Sequence, residues 1–206
     1  FADVRGVTYD KLCAELKECY DGYHFTHNSI GMYNPFSLLN AFKYKEFGSY
    51  WFETGTPTYL VSLLKKHHYD LERMAHEETD AQVLNSIDSE STNPIPVIYQ
   101  SGYLTIKGYD EEFGIYRLGF PNREVEEGFV RFMLPYYANV NKVESPFEIQ
   151  KFVREVRSGD YDSFFRRLQS FFADTTYEVI RDQELHYENV LFIVFKLVGF
   201  YTKVEY

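Results

Sequence analysis

The sequence predicts a mainly α-helical fold with small β-hairpins, which places it in the α+β class. Most of the patterned segments repeat their apolar residues every three or four positions, as amphipathic helices do. Strict alternation is confined to short stretches, the clearest being the pair that flanks residues 108–113. With 206 residues, 45% of them hydrophobic and 19% aromatic, the chain can bury a core without a disulfide or metal.

The N-terminal third is predicted to hold three helices, over residues 8–20, from Asn34-Pro35 through Phe42, and over 58–68. Thr8 suits an N-cap, and Leu12 and Leu16 lie on one stripe of the first helix. Proline fits the first position of the second helix because its missing N–H is not needed there. A turn at Asp21-Gly22 and a hairpin-like stretch up to Tyr33 join these two helices, and a break at residues 54–57 precedes the third.

The middle of the chain holds the clearest hairpin, with strands at 102–107 and 114–118. A short helix at 94–100 is predicted before it, and a longer one from Pro121 to Tyr137 after it. Helix, hairpin and helix together suggest a winged-helix-like unit. Residues 70–91 are polar and acidic with weak periodicity, so no element is predicted there.

The last third is predicted to be helical, with helices at about 146–157, 160–172 and 179–198 and strand character at 201–206. A boundary near 140–146 separates it from the preceding unit.

Cys13 and Cys19 are six residues apart, about 120° around a helix, so no disulfide is expected between them. Without a disulfide framework, a reducing cytoplasmic compartment is the default expectation.

The net charge of −10 is concentrated in the middle of the chain. Residues 70–130 carry 13 acidic and 4 basic side chains, whereas the rest is nearly balanced. Such a segment repels phosphate backbones, which disfavours nucleic acid as a partner of this chain alone. Two interpretations remain: a solvated face that keeps the protein soluble, or a docking surface for a basic partner or a basic neighbouring domain.

Familiar catalytic signatures are missing from the sequence. It has no phosphate-loop lysine motif, no GxGxxG, no HExxH and no GxSxG. His24 and His27 form a pair that lacks a third metal ligand, so surface histidines are the expected interpretation. Asp110, Glu111 and Glu112 fall at a hairpin tip, where a solvated turn is expected. Composition and spacing alone therefore lead no further than a helical domain with no membrane span.

Five segments occur in a characteristic order: YDGYHF, MYNPFSLLNAF, YWFETGTPTYLVSLL, QSGYLTI and YRLGFPNREV. Together they resemble the bacterial AAA-ATPase-like proteins that carry a C-terminal PD-(D/E)XK nuclease-like domain, over about Val7 to Tyr206. The resemblance implies a helical lid-like region at 1–92, a winged-helix-like unit at 93–140, and a linker with the truncated start of the nuclease-like domain at 146–206. The sequence begins at Phe1 without methionine, so we expect a central fragment of a longer protein.

The final stretch, ELHYENVLFIVFKLVGFYTKVEY, resembles the opening of that nuclease-like domain. The resemblance makes Glu184 the glutamate that a first helix offers to the metal site, while the other ligands would lie beyond Tyr206. One carboxylate cannot hold a catalytic Mg²⁺. The fragment alone is thus expected to be inactive and to bind no cofactor. Glu184 equally suits an exposed first turn, where its charge favours the helix dipole.

Three functions follow as hypotheses. The first is a non-catalytic lid and linker that couples nucleotide state to the nuclease-like domain. Its partners would be the missing N-terminal ATPase core and the C-terminal domain, and the parent would need ATP and Mg²⁺. The alternatives are a protein-interaction module using the acidic 70–130 region and a winged-helix module binding nucleic acid. For the parent, the resemblance leaves nuclease activity open.

Overall fold

A computed structural model describes residues 1–52, 58–86, 93–138, 140–173 and 183–202. The α-helices in these ranges are Ala2–Arg5 (α1), Tyr9–Tyr20 (α2), Pro35–Tyr44 (α3), Thr58–Lys66 (α4), Ala81–Leu84 (α5), Ile95–Gln100 (α6), Arg123–Tyr137 (α7), Ser145–Ser158 (α8), Tyr161–Ala173 (α9) and Gln183–Tyr201 (α10). The strands are Glu77–Asp80 (β1), Thr105–Asp110 (β2) and Ile115–Gly119 (β3), and a 3-10 helix spans Glu72–His76. The fold is mainly α with one small antiparallel sheet, which confirms the predicted class.

The chain forms two compact units. Unit 1 comprises Phe1–His67 and Arg73–Gly128, and unit 2 comprises His68–Glu72 and Phe129–Tyr206. The functional division at 1–92, 93–140 and 146–206 derives from the family resemblance and stays a prediction.

The first two predicted helices of unit 1 are confirmed with their caps. The Thr8 side chain accepts a hydrogen bond from the amide of Lys11, and α2 buries Leu12, Leu16 and Tyr20. These three pack with Ala41 of α3 in one apolar cluster. The Asn34 side chain caps α3, which begins with proline as expected. Local periodicity and capping thus place both helices.

A third strand lies inside the acidic segment, where the sequence predicted no element. β1 pairs with β3, and the sheet order is β1-β3-β2, all antiparallel. In β1 the alternation of buried and exposed residues is regular, but the buried residues are Glu77 and Thr79. Hydropathy alternation cannot reveal a strand whose inward side chains are polar. Pairing with β3 supplies the backbone hydrogen bonds that make it a strand.

The hairpin exists, but its first strand lies three residues later than predicted. β2 covers Thr105–Asp110 and therefore includes residues expected at the tip, while β3 begins one residue late, at Ile115. The register shifts between Ile106 and Gly108, which leaves Lys107 in a bulge. Gly114 then closes the turn with φ of 69°.

The helix after the hairpin begins at Arg123, two residues after the predicted start at Pro121. The side-chain oxygen of Asn122 accepts a hydrogen bond from the amide of Val125 at 3.1 Å and so caps the helix. The Pro121 carbonyl accepts a hydrogen bond from the Lys107 amino group at 3.0 Å. Because Asn122 is the N-cap, Pro121 lies before the helix, and the helix begins two residues later than predicted.

Unit 2 contains the three predicted C-terminal helices, with α8 contacting both α9 and α10. The Phe152 ring of α8 lies edge-on to Phe164 and Phe171 of α9, with centroids 5.2 and 5.3 Å apart. Such edge-to-face geometry suits aromatic quadrupoles. An ion-pair network also joins α8 to α9: Arg167 donates to both oxygens of Glu155 and to Glu148 at 2.8 Å.

The strand predicted at 201–206 is wrong at its first two residues. Tyr201 is the last residue of α10, and the Thr202 amide still donates to the Val198 carbonyl, as in a helix. Residues 203–206 lie outside the described chain, as do the predicted break at 54–57 and the expected helix start at 179–182. In the described ranges no helix is long and apolar enough to cross a membrane.

Candidate functional site

Parts of all five motif segments meet within unit 1. The amide of Asn34 donates to the carbonyl of Tyr20 at 2.8 Å, which joins the first segment to the second. The amide of His24 donates to the Thr105 hydroxyl at 2.7 Å, and that hydroxyl donates back to the His24 carbonyl at 3.0 Å. The Trp51 ring lies edge-on to Tyr103, with centroids 5.1 Å apart. Segments far apart in sequence therefore form one structural cluster.

Glu124, in the first turn of α7, is the buried carboxylate of this cluster. Its side chain is 4% exposed. The Ser37 hydroxyl donates to Oε1 at 2.8 Å, and the Trp51 amide donates to the same oxygen at 2.9 Å. A buried carboxylate is costly unless it is hydrogen-bonded, so these donors stabilise its charged form. We name Glu124, Ser37 and Trp51 the Glu124 junction.

The tyrosines beside the Glu124 junction are held as neutral hydroxyls. Burial raises the pKa of Tyr23 above its usual range, and the charge of Glu124 raises it further. Burial likewise raises the pKa of Tyr20. The Tyr20 hydroxyl donates to the Gly48 carbonyl at 3.1 Å and accepts from the Gly48 amide at 3.0 Å. Neither tyrosine is a base at neutral pH. The Tyr20 hydroxyl is a hydrogen-bonding anchor, and Tyr23 is packed beside the junction.

Gly22, in the YDGYHF segment, lies directly against the start of the α7 region. Its φ is 111°, and a Cβ there would stand 2.2 Å from the carbonyl oxygen of Pro121. Only glycine fits that distance and that backbone angle. The Lys107 amino group donates to the same carbonyl at 3.0 Å, and burial lowers the pKa of Lys107. The motif glycine is thus explained by close packing between two segments.

The Glu124 junction holds three chain segments together by hydrogen bonds to one carboxylate. Its carboxylate oxygen Oε1 receives two donors, one from a side chain and one from the backbone, and it connects α3, the segment at Trp51 and α7. In the part of the chain that the structure describes, no group of three or more His, Cys, Asp or Glu side chains could hold a metal ion. What the geometry offers is precise positioning of three chain segments by one buried charge.

Glu184, the predicted site residue, lies in the first turn of α10 and is exposed. At this position its charge interacts favourably with the helix dipole, as its structural interpretation expects. No described acidic, histidine or cysteine side chains join it in a metal-binding group. Its role as a metal ligand stays a prediction for the intact parent.

The other side chains considered from sequence have structural partners. His24 Nδ1 lies 2.9 Å from the Ser29 carbonyl, and the His27 ring stacks on Tyr109 with centroids 4.5 Å apart. Asp110 accepts hydrogen bonds from the amides of Glu112 and Phe113 and so shapes the hairpin turn. Both histidines thus have structural contacts, with His24 half-buried and His27 exposed, and Asp110 shapes the turn that the sequence predicts at the hairpin.

Sequence reasoning missed Glu124 and Asn189. Glu124 stood inside a quoted motif, but a glutamate at a helix start is typically exposed. Asn189 of α10 is 3% exposed and lies within unit 2. Its Oδ1 accepts from the Leu71 amide at 2.7 Å, and its Nδ2 donates to the Tyr69 carbonyl at 3.0 Å. The signal available for Asn189 was an amide side chain directly before the apolar run VLFIVF, within one predicted helix.

The chain resembles one longer protein. It is 28% identical over 203 residues to a protein of Azotobacter chroococcum mcd 1 described as "Uncharacterized protein in vnfD 5'region". The match covers 93% of this chain and 38% of that protein, so the chain spans about two fifths of the length of this curated relative. No protein-family model matches the chain, and no solved structure matches it.

Proposed function

We propose that the chain is the non-catalytic lid and linker of an AAA-ATPase-like protein with a PD-(D/E)XK nuclease-like domain, and that it couples nucleotide state to that domain. The observation that carries the proposal is the Glu124 junction. Residues from three of the motif segments that define the resemblance, Ser37, Trp51 and Glu124, bind one another there. An element that transmits a state needs segments that move as one body.

The longer relative also supports the proposal. A chain that aligns over 93% of its length to 38% of another protein suits a region within a larger architecture. In the proposed parent, ATP and Mg²⁺ bind to the preceding core, and this chain contributes packing and positioning. A lid acts through differential contacts in the two nucleotide states, without reacting groups of its own.

The test compares the 206-residue chain with the longer gene product. We expect titration calorimetry to detect ATP binding with Mg²⁺ only in the longer protein. Hydrogen exchange of α3 and α4 in that protein should slow when a non-hydrolysable ATP analogue binds. The proposal fails if the 206-residue chain binds ATP, if the longer protein does not, or if bound nucleotide leaves exchange throughout residues 1–202 unchanged.

A matched pair of variants tests the coupling. Ser37→Ala removes one hydrogen-bond donor to Glu124. Ser62→Ala is the control: among the described contacts, its hydroxyl donates only to the Thr58 carbonyl of its own helix. In the longer protein both variants should keep the ATP affinity within about twofold, since neither side chain belongs to the proposed ATP-binding core. Only Ser37→Ala should reduce the nucleotide-dependent protection. Equal protection in both variants would contradict a coupling role for the junction.

The second candidate function is a protein-interaction module, favoured by the outward face of the sheet. The strand register places Glu78 beside Arg117, and Asp80 and Asp110 on either side of Ile115. These three carboxylates are exposed, and the neighbouring turn adds Phe113, which is 71% exposed. A face of this composition complements a basic segment of a protein partner.

Nucleic acid is the weaker alternative on this face. Lys107 and Arg117 are the basic residues of the two hairpin strands, and the Lys107 amino group donates to the Pro121 carbonyl. The triple variant Asp110→Asn, Glu111→Gln, Glu112→Gln distinguishes the two candidates because it removes the negative charge of the turn. The turn itself should be kept, since asparagine at position 110 retains the side-chain oxygen that shapes it. It should weaken capture of a basic protein partner but strengthen binding of duplex DNA if the acidic charge merely repels phosphate.

A further inference from the structure

The strand β1, Glu77–Asp80, lies at one edge of the sheet. The strand order is β1-β3-β2, and among the described residues β1 pairs with β3 alone. In an antiparallel pair every second residue directs its backbone N–H and C=O away from the partner strand. The pairing of β1 with β3 runs through four consecutive positions without a bulge. This edge is therefore regular, and its outward backbone groups suit the addition of a further strand.

The opposite edge of the sheet, formed by β2, is protected. The register shifts at Lys107, and a bulge of this kind interrupts the ladder that an added strand would need. The chain at His24 is also tied to the start of β2, because the His24 amide donates to the Thr105 hydroxyl at 2.7 Å and that hydroxyl donates back. Of the two edges, β1 offers the more regular ladder.

The exposed side chains of β1 are both carboxylates, Glu78 and Asp80. The ladder places Arg117 beside Glu78. The Arg117 guanidinium is nevertheless directed to β2, since a Cβ on Gly108 would stand 2.7 Å from one of its nitrogens. Asp80 uses one oxygen to cap α5, where it accepts from the Val83 amide at 2.8 Å. The edge of β1 thus presents two negative charges to solvent.

We infer that the edge of β1 binds an extended basic segment of a protein partner, which joins the sheet as an added strand. The inference deepens the second candidate function, the protein-interaction module, and rests on it. Charge complementarity selects this occupant. A second copy would bring its own Glu78 and Asp80 against the same carboxylates, and like charges on paired strands are destabilising, whereas a basic segment complements them.

Strand geometry also defines the sequence of the partner segment. Side chains on one face of a strand are two residues apart, as Glu78 and Asp80 are. A segment paired with β1 should therefore carry lysine or arginine at alternating positions. The intervening side chains lie on the same side as Glu77 and Thr79, which are buried, so small or β-branched residues suit those positions.

A peptide titration tests the inference. The probe is the peptide KTKVKTK, in which lysine alternates with residues that favour strands. One control, TTVKKKK, has the same composition without the alternation. The other is KTKVKTK with every backbone amide N-methylated, which keeps the lysines but removes the donors that a strand needs. Amide chemical shifts and hydrogen exchange of the isotope-labelled chain report binding, because a four-residue strand offers few backbone bonds and the affinity should be weak.

We expect KTKVKTK to shift the amides of residues 77–80, to slow their exchange, and to bind at least about fivefold more tightly than either control. A pair of double variants tests the two carboxylates. Glu78→Gln with Asp80→Asn should weaken KTKVKTK binding at least about fivefold, and asparagine keeps the oxygen that caps α5. Glu144→Gln with Asp162→Asn removes two exposed charges of unit 2 and should change the affinity by less than about twofold.

Four outcomes would overturn the inference. Equal affinity for the three peptides, or shifts confined to the hairpin turn, would mean that charge alone attracts the segment. Strand addition then fails, but the second candidate function stands. Binding of none of the peptides rejects both. Equal effects of the two double variants would remove β1 as the site. Exchange at residues 77–80 that slows as the concentration of the chain alone is raised would assign the edge to a second copy.

Discussion

The Ser37 hydroxyl donates a hydrogen bond to Oε1 of Glu124 at 2.8 Å, across 87 residues of sequence. The Trp51 amide donates to the same oxygen. One buried carboxylate thus fixes the first turn of α3, the segment at Trp51 and the first turn of α7 relative to one another. Because the Ser37 side chain is fully buried, loss of the carboxylate would leave its hydroxyl without this acceptor, at a cost in folding free energy.

Glu124→Gln should lower the free energy of unfolding by about 1–3 kcal/mol. A neutral amide oxygen accepts hydrogen bonds more weakly than a carboxylate, and the two amide N–H groups are placed near the Ser37 and Trp51 donors. Urea unfolding followed by tryptophan fluorescence measures it directly, because Trp51 is the one tryptophan of the chain and belongs to the junction. Glu111→Gln, at the exposed hairpin tip, should change stability by no more than about 0.5 kcal/mol. Equal effects of the two variants would contradict the role of Glu124.

Gly22→Ala should be severely destabilising, by at least about 2–4 kcal/mol, because it combines a left-handed backbone angle with a 2.2 Å approach to the Pro121 carbonyl. Gly6→Ala is the matched control. Gly6 has φ of 63°, but a Cβ there meets no atom within 4 Å, so only the backbone cost of about 1 kcal/mol is expected. Thermal unfolding of both variants checks the difference. Similar melting temperatures would show that residues 21–22 can move away from Pro121 at little cost.

Asn189→Leu should cost about 2–4 kcal/mol in unit 2, because it removes two hydrogen bonds and leaves the Leu71 amide buried without its acceptor. Asn85→Leu is the control, since that side chain is exposed and bonds only one carbonyl of its own helix among described contacts. Hydrogen exchange of the Leu71 amide supplies a local readout. If the Leu71 amide exchanges no faster in Asn189→Leu, the hydrogen bonds from Asn189 to residues 69 and 71 do not stabilise that segment.

Stability of unit 2 should fall in acid through Glu148. Burial alone would raise the pKa of Glu148, but hydrogen bonds from Lys151 and Arg167 outweigh it and lower the pKa below the usual 4.5. A carboxylate whose pKa is lower in the folded state stabilises the fold above its unfolded pKa. That stability is lost as the pH falls through the lowered value.

Arg167→Met should therefore flatten the acid limb of unfolding below about pH 4.5, besides reducing stability at neutral pH. Urea midpoints between pH 3 and 7 measure both effects, and Arg154→Met, on the exposed side of α8, is the charge-matched control. Parallel pH profiles of the Arg167→Met and Arg154→Met variants would show that the network contributes no pH dependence.

Most helices could be predicted because their causes are local. A stripe such as Leu12 and Leu16, or a cap such as Asn34, is visible within one or two turns, and the structure confirms both. The acidic strand β1 could not be predicted because its buried side chains are polar and its partner β3 lies far along the chain. The rule that finds strands depends on apolar alternation, which this strand lacks.

The sequence alone established the α+β class, the helix–hairpin–helix order in the middle of the chain and the acidic concentration at 70–130. The Glu124 junction depended on the tertiary structure. Glu124 has the local pattern of a solvated helix-start glutamate, and only contact with Ser37 and Trp51 makes it a buried anchor. Burial and hydrogen bonding between distant segments are properties of the folded chain, because each requires a neighbour that local sequence does not contain.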